Sequence, residues 1–212
     1  MLIVLFGPPG AGKGTQATPV ADRLGVPKLA TGDVLRAAVR DGTPRGLEAK
    51  AAMARGDLVP DDVILAIMEE TLSKPDAASG AILDGVVRTT RQAEGLSRML
   101  EKHGRAVDAV LVFDVSDDEL VRRLSGRTVC EKCQTPYTGR QPDSTCDRCG
   151  GTLVRRADDE PESVRNRLEV YRKQTAPVLE WYRTNGVRLL TIDAVGSPED
   201  VTKRALQAIE SR

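Results

Sequence analysis

The chain reads as an α/β protein: a parallel β-sheet covered by helices on both faces, carrying a small insert after about two thirds of its length. Three observations lead there. Short apolar runs alternate with longer amphipathic stretches over most of the 212 residues. Buried parallel strands read as such runs, and helices make the crossovers between them. A glycine-rich loop, Gly7-Pro8-Pro9-Gly10-Ala11-Gly12-Lys13-Gly14-Thr15, directly follows the first apolar run. Residues 127–159 break the alternation with four cysteines and little apolar periodicity.

Taken in order, residues 2–6 form the first buried strand, and the helix after the glycine loop runs to about residue 24. Residues 26–30 make a short second strand. Thr31-Gly32-Asp33 opens a helix through Val39, because an acidic residue in a first turn offsets exposed N–H groups. Helices follow at about 44–55 and 61–73. Residues 81–83 form a buried strand that ends at Asp84-Gly85. Residues 92–102 are helical, 109–115 form the fourth strand, and 117–125 are helical. After the insert, Pro161 suits a first helical turn. One long helix then runs to about Tyr182, followed by a strand at 187–192 and a helix from about Pro198. Ligands of such sheets bind at the carboxyl ends of the strands. The glycine loop, Asp84-Gly85 and Asp114 all fall there.

Composition excludes several classes. Charged residues make up 29% and apolar residues 40%, which suits neither a disordered nor a membrane protein. Lys+Arg and Asp+Glu both total 31, so nothing holds the chain to nucleic acid through bulk charge. No run approaches a bilayer span, and residues 2–6 are too short for a secretory signal. A soluble, cytoplasmic protein is expected. No heptad pattern or large apolar face suggests more than a monomer. His103 follows a helix in a polar stretch and reads as a surface residue.

The spacing Gly7-x4-Gly12-Lys13 is the one that cradles phosphate. Glycines let several backbone N–H groups face one anion, the following helix adds the positive end of its dipole, and Lys13 supplies a point charge. Gly14 departs from the general pattern, which has Ser or Thr there to hold Mg²⁺. The metal is then expected to rest on Thr15, waters and acidic side chains, with Asp84 foremost and Asp33 second.

Cys130-x2-Cys133 and Cys146-x2-Cys149 form two knuckles, and Gly150-Gly151 suits a knuckle turn. Tetrahedral thiolate ligation favours Zn²⁺ over an iron–sulfur cluster, reactive thiols or disulfides. Four protein ligands leave no open position, so the metal is structural and staples an insert too small for its own core.

The glycine loop, together with Thr31-Gly32-Asp33-Val34-Leu35-Arg36, Leu83-Asp84-Gly85 with Arg88-Thr89, and Arg156-Ala157-Asp158-Asp159, resembles the adenylate kinases, in the branch whose lid carries four cysteines. The resemblance spans nearly the whole chain. It implies a P-loop nucleoside monophosphate kinase fold with a five-stranded parallel sheet. Its divisions would be core at 1–30, 61–126 and 160–212, an AMP-binding helical segment at 31–60, and a zinc-stapled lid at 127–159. It also implies reversible, Mg²⁺-dependent phosphoryl transfer between ATP and AMP, giving ADP. Lid closure excludes water in this family. The acceptor is already ionised, so no general base is needed; positioning and charge neutralisation do the work.

The resemblance places Lys13, Arg88, Arg123, Arg127, Arg156 and Arg167 in catalysis. It assigns ATP to Gly10, Ala11, Gly12, Lys13, Gly14, Thr15, Arg127, Pro136, Tyr137 and Gly196. AMP falls to Thr31, Arg36, Asp57, Leu58, Val59, Gly85, Val86, Val87, Arg88, Gln92, Arg156 and Arg167. Asp158 and Asp159 would close the lid, the hinges lying near Gly126 and Asp159. Six arginines and Lys13 bring about seven positive charges against roughly four negative on the nucleotides and one Mg²⁺. Some are therefore expected to act mainly as charge builds at transfer. A surface pair, Glu119 with Arg123 at i,i+4, is the competing use.

The family carries an aromatic residue and a proline, commonly cis, where this chain has Val86-Val87. A cis bond costs about 3–4 kcal/mol before valine, against about 0.5–1 before proline. Either a trans bond with the loop rearranged, or a bond that its neighbours hold strained, is expected. Two other functions share these motifs. A kinase of UMP, CMP or GMP is disfavoured by Thr31 and Gln92. A zinc-ribbon nucleic-acid module is disfavoured by the 3% aromatic content.

Overall fold

The computed structural model describes residues 1–211, and the side chains of all of these but residues 45 and 157. The main sheet holds β1 (Leu2–Phe6), β2 (Lys28–Ala30), β3 (Ala81–Asp84), β4 (Ala109–Asp114) and a last strand, Arg188–Asp193, in the order β2-β3-β1-β4-last. Every pairing is parallel. Side chains of β1 alternate between two apolar layers. Leu2, Val4 and Phe6 face one, and Ile3 and Leu5 face the other. That two-sided burial is why the run is continuously apolar.

Helix α1 (Lys13–Leu24) follows the glycine loop and packs on the second layer. Helices α2 (Thr31–Arg40) and α3 (Pro44–Arg55) pack on each other. Helices α4 (Asp61–Leu72) and α5 (Thr90–Glu101) cover the first layer. Helix α6 (Asp117–Ser125) leads to the insert, whose strands β5 (Arg127–Cys130), β6 (Pro136–Thr138) and β7 (Leu153–Val154) form a separate antiparallel sheet in the order β6-β5-β7. After the insert come α7 (Pro161–Val170) and α8 (Val178–Thr184), then β8 (Arg188–Asp193), the last strand named above, and α9 (Pro198–Glu210).

Two elements differ from the sequence reading. The second strand begins at Lys28, because Pro27 has no N–H to give; its carbonyl still accepts from Ile82 N at 2.9 Å. The helix expected to run unbroken to Tyr182 is interrupted by a π turn over Tyr171–Thr175, closed by Ala176 N donating to Tyr171 O at 2.8 Å. The turn swings Thr175 inward, where Oγ1 donates to Arg88 O at 2.9 Å. Such local widenings recur at functional sites. Among the described residues no peptide bond is cis, and no helix is long and apolar enough to cross a membrane.

Candidate functional site

The glycine loop leaves β1 and enters α1 through Gly12, whose φ of 91° is a left-handed value open to glycine. Lys13 Nζ donates back to Gly7 O at 2.7 Å and Pro8 O at 2.9 Å. Burial pulls the Lys13 ammonium down to about 7; Asp84 opposes this, while Arg88, Arg167 and Arg127 add to it. Asp84 is driven the other way: burial raises it, offset first by Lys13. The lysine is thus poised to take its full charge when an anion arrives.

Asp84 also explains the glycine at position 14. A Cβ there would lie 3.2 Å from Asp84 Oδ2, closer than side-chain carbons ordinarily sit. The carboxylate stands where a serine or threonine would project. Thr15, one position on, is exposed to the cleft.

The loop floors a cleft of about 780 Å³. Gly10, Ala11, Gly12, Lys13, Gly14 and Thr15 line it, as do Pro136, Tyr137 and Gly196. Arg123 and Arg127 line it as well. A smaller cavity of about 60 Å³ adjoins it, lined by Thr31, Asp57, Leu58, Val59 and Gln92 among others. Arg36, Gly85, Arg88, Arg156 and Arg167 line both, forming a shared cationic wall.

Internal carboxylates hold that wall together. Arg156 is bidentate to Asp158, at 2.8 and 2.5 Å. Arg167 Nη1 reaches Asp158 O at 2.7 Å and Asp159 Oδ1 at 3.0 Å. Arg127 pairs with Asp159 through both nitrogens, Nε at 2.7 Å. Burial works against the Asp158 carboxylate, yet Arg156 and Arg167 overcome it and hold the group well below the usual carboxylate range. Burial lowers Arg167 to about 10. Arg156 also suffers from burial, but Asp158 and Asp159 lift it above its ordinary value. Arg36 pairs with Asp33, which also takes Lys28 at 3.4 Å. Arg123 Nε bonds Glu119 at 2.7 Å while Nη2 donates to Ala194 O at 2.9 Å. The cationic excess counted from sequence is therefore partly offset by Asp33, Glu119, Asp158 and Asp159. Phosphates would take over part of that role.

Several expected residues play narrower parts. Thr31 Oγ1 donates to Gly85 O at 2.8 Å, so its hydroxyl ties α2 to the β3 end. Gln92 is almost fully buried; Oε1 accepts from Arg88 N at 2.7 Å and Nε2 donates to Asp61 at 2.8 Å. One amide hydrogen of Gln92 remains for a ligand. The Asp57 carboxylate is engaged by Asn166 and Arg55, each at 2.8 Å, which keep it below its usual range. The Val86–Val87 bond is trans, and both side chains are buried in the apolar layer. Val86 lines neither the cleft nor the small cavity, and Val87 reaches only a pocket behind Lys13. Arg88 keeps its place on both cavities, its carbonyl held by Thr175. Asp114, at a strand end, is exposed and lines none of these spaces.

In the insert, the four cysteine sulfurs lie within 4.8 Å of one another. Cys130–Cys149 is 3.4 Å, Cys133–Cys146 3.6 Å and Cys146–Cys149 3.8 Å. A tetrahedron with bonds of about 2.3 Å to zinc has sulfurs about 3.8 Å apart, so the set fits a four-thiolate metal. The cluster could hold a metal ion; apart from the cysteines, the insert's own apolar cluster among the described residues is Leu153 with Tyr137 packed against it. Tyr137 Oη lies 3.3 Å from Cys146 Sγ and accepts from Asp147 N at 3.1 Å, so its hydroxyl serves the knuckle. Arg127 and Asp159, at the two ends of the insert, clasp each other.

Four residues of the site escaped the sequence reading: Asp61, which orients Gln92; Thr175, on the π turn; Gln134, on the first knuckle; and Lys28. None stands in a spacing pattern. Only the charge of Asp61 and Lys28 near motif residues was visible.

Comparison with known proteins agrees with this geometry. The adenylate kinase family model matches residues 5–187. An adenylate kinase of Gemmatimonas aurantiaca is 65% identical over 99% of this chain and 99% of its own length. Those of Salinispora tropica and Acidothermus cellulolyticus are 47% and 49% identical, each over at least 98% of both chains. With its phosphate loop, shared arginine wall and four-cysteine insert, the chain belongs to the adenylate kinase family.

Proposed function

We propose that the protein transfers the terminal phosphoryl group of Mg²⁺-bound ATP reversibly to AMP, giving two ADP. One observation carries this reading: the phosphate-loop cleft and the smaller cavity meet along a common wall of Arg36, Arg88, Arg156 and Arg167. Two nucleotides placed in the two spaces bring their phosphates together against that wall. Lys13 and the loop amides would bind the donor phosphates, and Arg123 and Arg127 the charge that develops between donor and acceptor. Arg36 and Arg88 would hold the AMP phosphate, while Thr31, Leu58, Val59, Gly85 and Gln92 would form the nucleoside pocket. Asp84 and Asp33 are the carboxylates that would hold Mg²⁺ through its waters, and the ion would supply positive charge to the donor phosphates.

The assignment of residues 31–60 as acceptor segment and 127–159 as lid follows the same logic, with Asp158 and Asp159 fastening the closed lid. Zinc is proposed as the metal because four thiolates at tetrahedral spacing suit it. We also propose a cytoplasmic monomer: one chain supplies every residue of the site, and thiolate ligands suit a reducing compartment.

A coupled assay with ATP and AMP, UMP, CMP or GMP tests the reading. AMP is expected to be the best acceptor by at least about tenfold, a difference of about 1.4 kcal/mol. Equal use of the four, or ATP hydrolysis without an acceptor, would refute it.

A further inference from the structure

Gln134 follows the first cysteine knuckle with φ of 59°, one of two non-glycine residues among those described that have a positive φ. A residue with a Cβ is strained there, and such outliers cluster where a site constrains the chain. The strain holds a particular side-chain arrangement. Gln134 Nε2 donates to Cys130 O at 3.2 Å and Glu131 O at 3.1 Å. Its backbone N–H donates to Cys130 O at 2.9 Å. The amide is thereby fixed to the knuckle, and Oε1 accepts from Arg36 Nε at 3.3 Å, across 98 positions of sequence.

Arg36 sits on both cavities. Asp33 takes its Nη2 and Gln134 its Nε, which fixes the guanidinium plane at two points. Gly32 lies against the third nitrogen: a Cβ there would come within 3.2 Å of Nη1. Plane orientation matters because guanidinium binds phosphate as a fork. Arg156, nearby, repels Arg36. Released from Gln134, Arg36 could swing about its Asp33 contact.

We propose that Gln134 is a positioning residue for the acceptor phosphate, carrying the geometry of the cysteine knuckle to Arg36. Lid closure then improves acceptor binding specifically, and the acceptor in return favours the closed lid, since such coupling is reciprocal. This rests on the assignment of the smaller cavity to AMP.

The test is Gln134→Gly. Glycine relieves the backbone strain but also gives up the side-chain bonds to Cys130 O and Glu131 O, so metal content and melting temperature are needed to separate a knuckle defect from a positioning one. AMP and a non-hydrolysable ATP analogue are titrated separately by calorimetry, with bound metal per chain and melting temperature measured in parallel. The expected result is a Kd for AMP raised about three- to tenfold, the range of one net hydrogen bond. The Kd of the ATP analogue, the metal content and the melting temperature should be held or improved. An unchanged AMP Kd overturns the proposal. So does a parallel loss for both nucleotides with lowered melting temperature, which marks a structural role only. Wild-type protein that binds the ATP analogue but no AMP would instead remove the site assignment on which the proposal stands.

Discussion

Lys13 is half-buried beside three arginines and bonds the carbonyls of Gly7 and Pro8. Burial brings its pKa from an unfolded value of 10.5 to about 7. The unfolded chain therefore binds more protons than the folded one between those limits, and stability rises with pH across that window. Each pH unit inside it is worth about 1.4 kcal/mol, so at pH 7 the charge penalty is about 4 kcal/mol. Lys13→Met removes that penalty and also removes two hydrogen bonds, worth about 1 kcal/mol each. Without nucleotide the variant should be more stable than the parent by about 2 kcal/mol at pH 7. The Asp84 carboxylate loses its chief cationic neighbour, which trims the gain. The gap should close near pH 9 and reverse by about 1 kcal/mol near pH 10, where little penalty is left to remove. Urea unfolding of both proteins at several values from pH 7 to 10 reads this directly, while phosphoryl transfer by the variant should be lost. A stability difference that does not change with pH across the window would refute the reasoning.

Gly14→Ala puts a methyl group 3.2 Å from Asp84 Oδ2 and pushes the carboxylate aside by a few tenths of an ångström. The fold should survive, with kcat/KM for Mg²⁺-ATP down by about tenfold, since small displacements near the reacting groups are costly; an unaltered value would contradict it. Asp158→Asn leaves Arg156 and Arg167 short of a partner. With side chains 14–17% exposed, the cost is set at about 2 kcal/mol, below the about 3–5 of a fully buried pair. The wild-type carboxylate is held below its ordinary value, so its contribution is present above about pH 4 and lost on acidification. The gap between variant and parent, followed by urea melts, should narrow below that pH. Metal removal by a strong chelator should lower the melting temperature by about 5 °C or more, because the insert has little else to hold it; no change would speak against a structural metal.

Most of the fold was legible because the central strands β1, β3 and β4 are apolar runs and the crossovers between strands read as helical stretches. The phosphate loop and the double knuckle were legible for a different reason: a phosphate cradle and a four-thiolate cluster need fixed local spacings. The long helix broke at residues 171–175 just ahead of Pro177, which has no N–H to continue the ladder and caps the next helix, a breaker the sequence already carried; only the Thr175–Arg88 bond made at the break needed the tertiary fold to be seen. Gln134 escaped for a related reason. Its strained φ belongs to the folded knuckle, and its reach to Arg36 exists only once the insert folds over α2. The glycine at position 14 was a visible departure, and its explanation became visible only with Asp84 standing beside it.

Phosphoryl transfer by this chain requires two nucleotide sites meeting at one arginine wall. The most direct test is a crystal structure with a single molecule made of two adenosines joined by five phosphates. It should occupy cleft and cavity together, with Arg88, Arg156 and Arg167 turned to its central phosphates and Asp158 giving up part of its hold on Arg156 and Arg167. The molecule bound elsewhere, or with Arg156 and Arg167 still facing only their carboxylates and Arg88 only Gly85 O, would contradict the account.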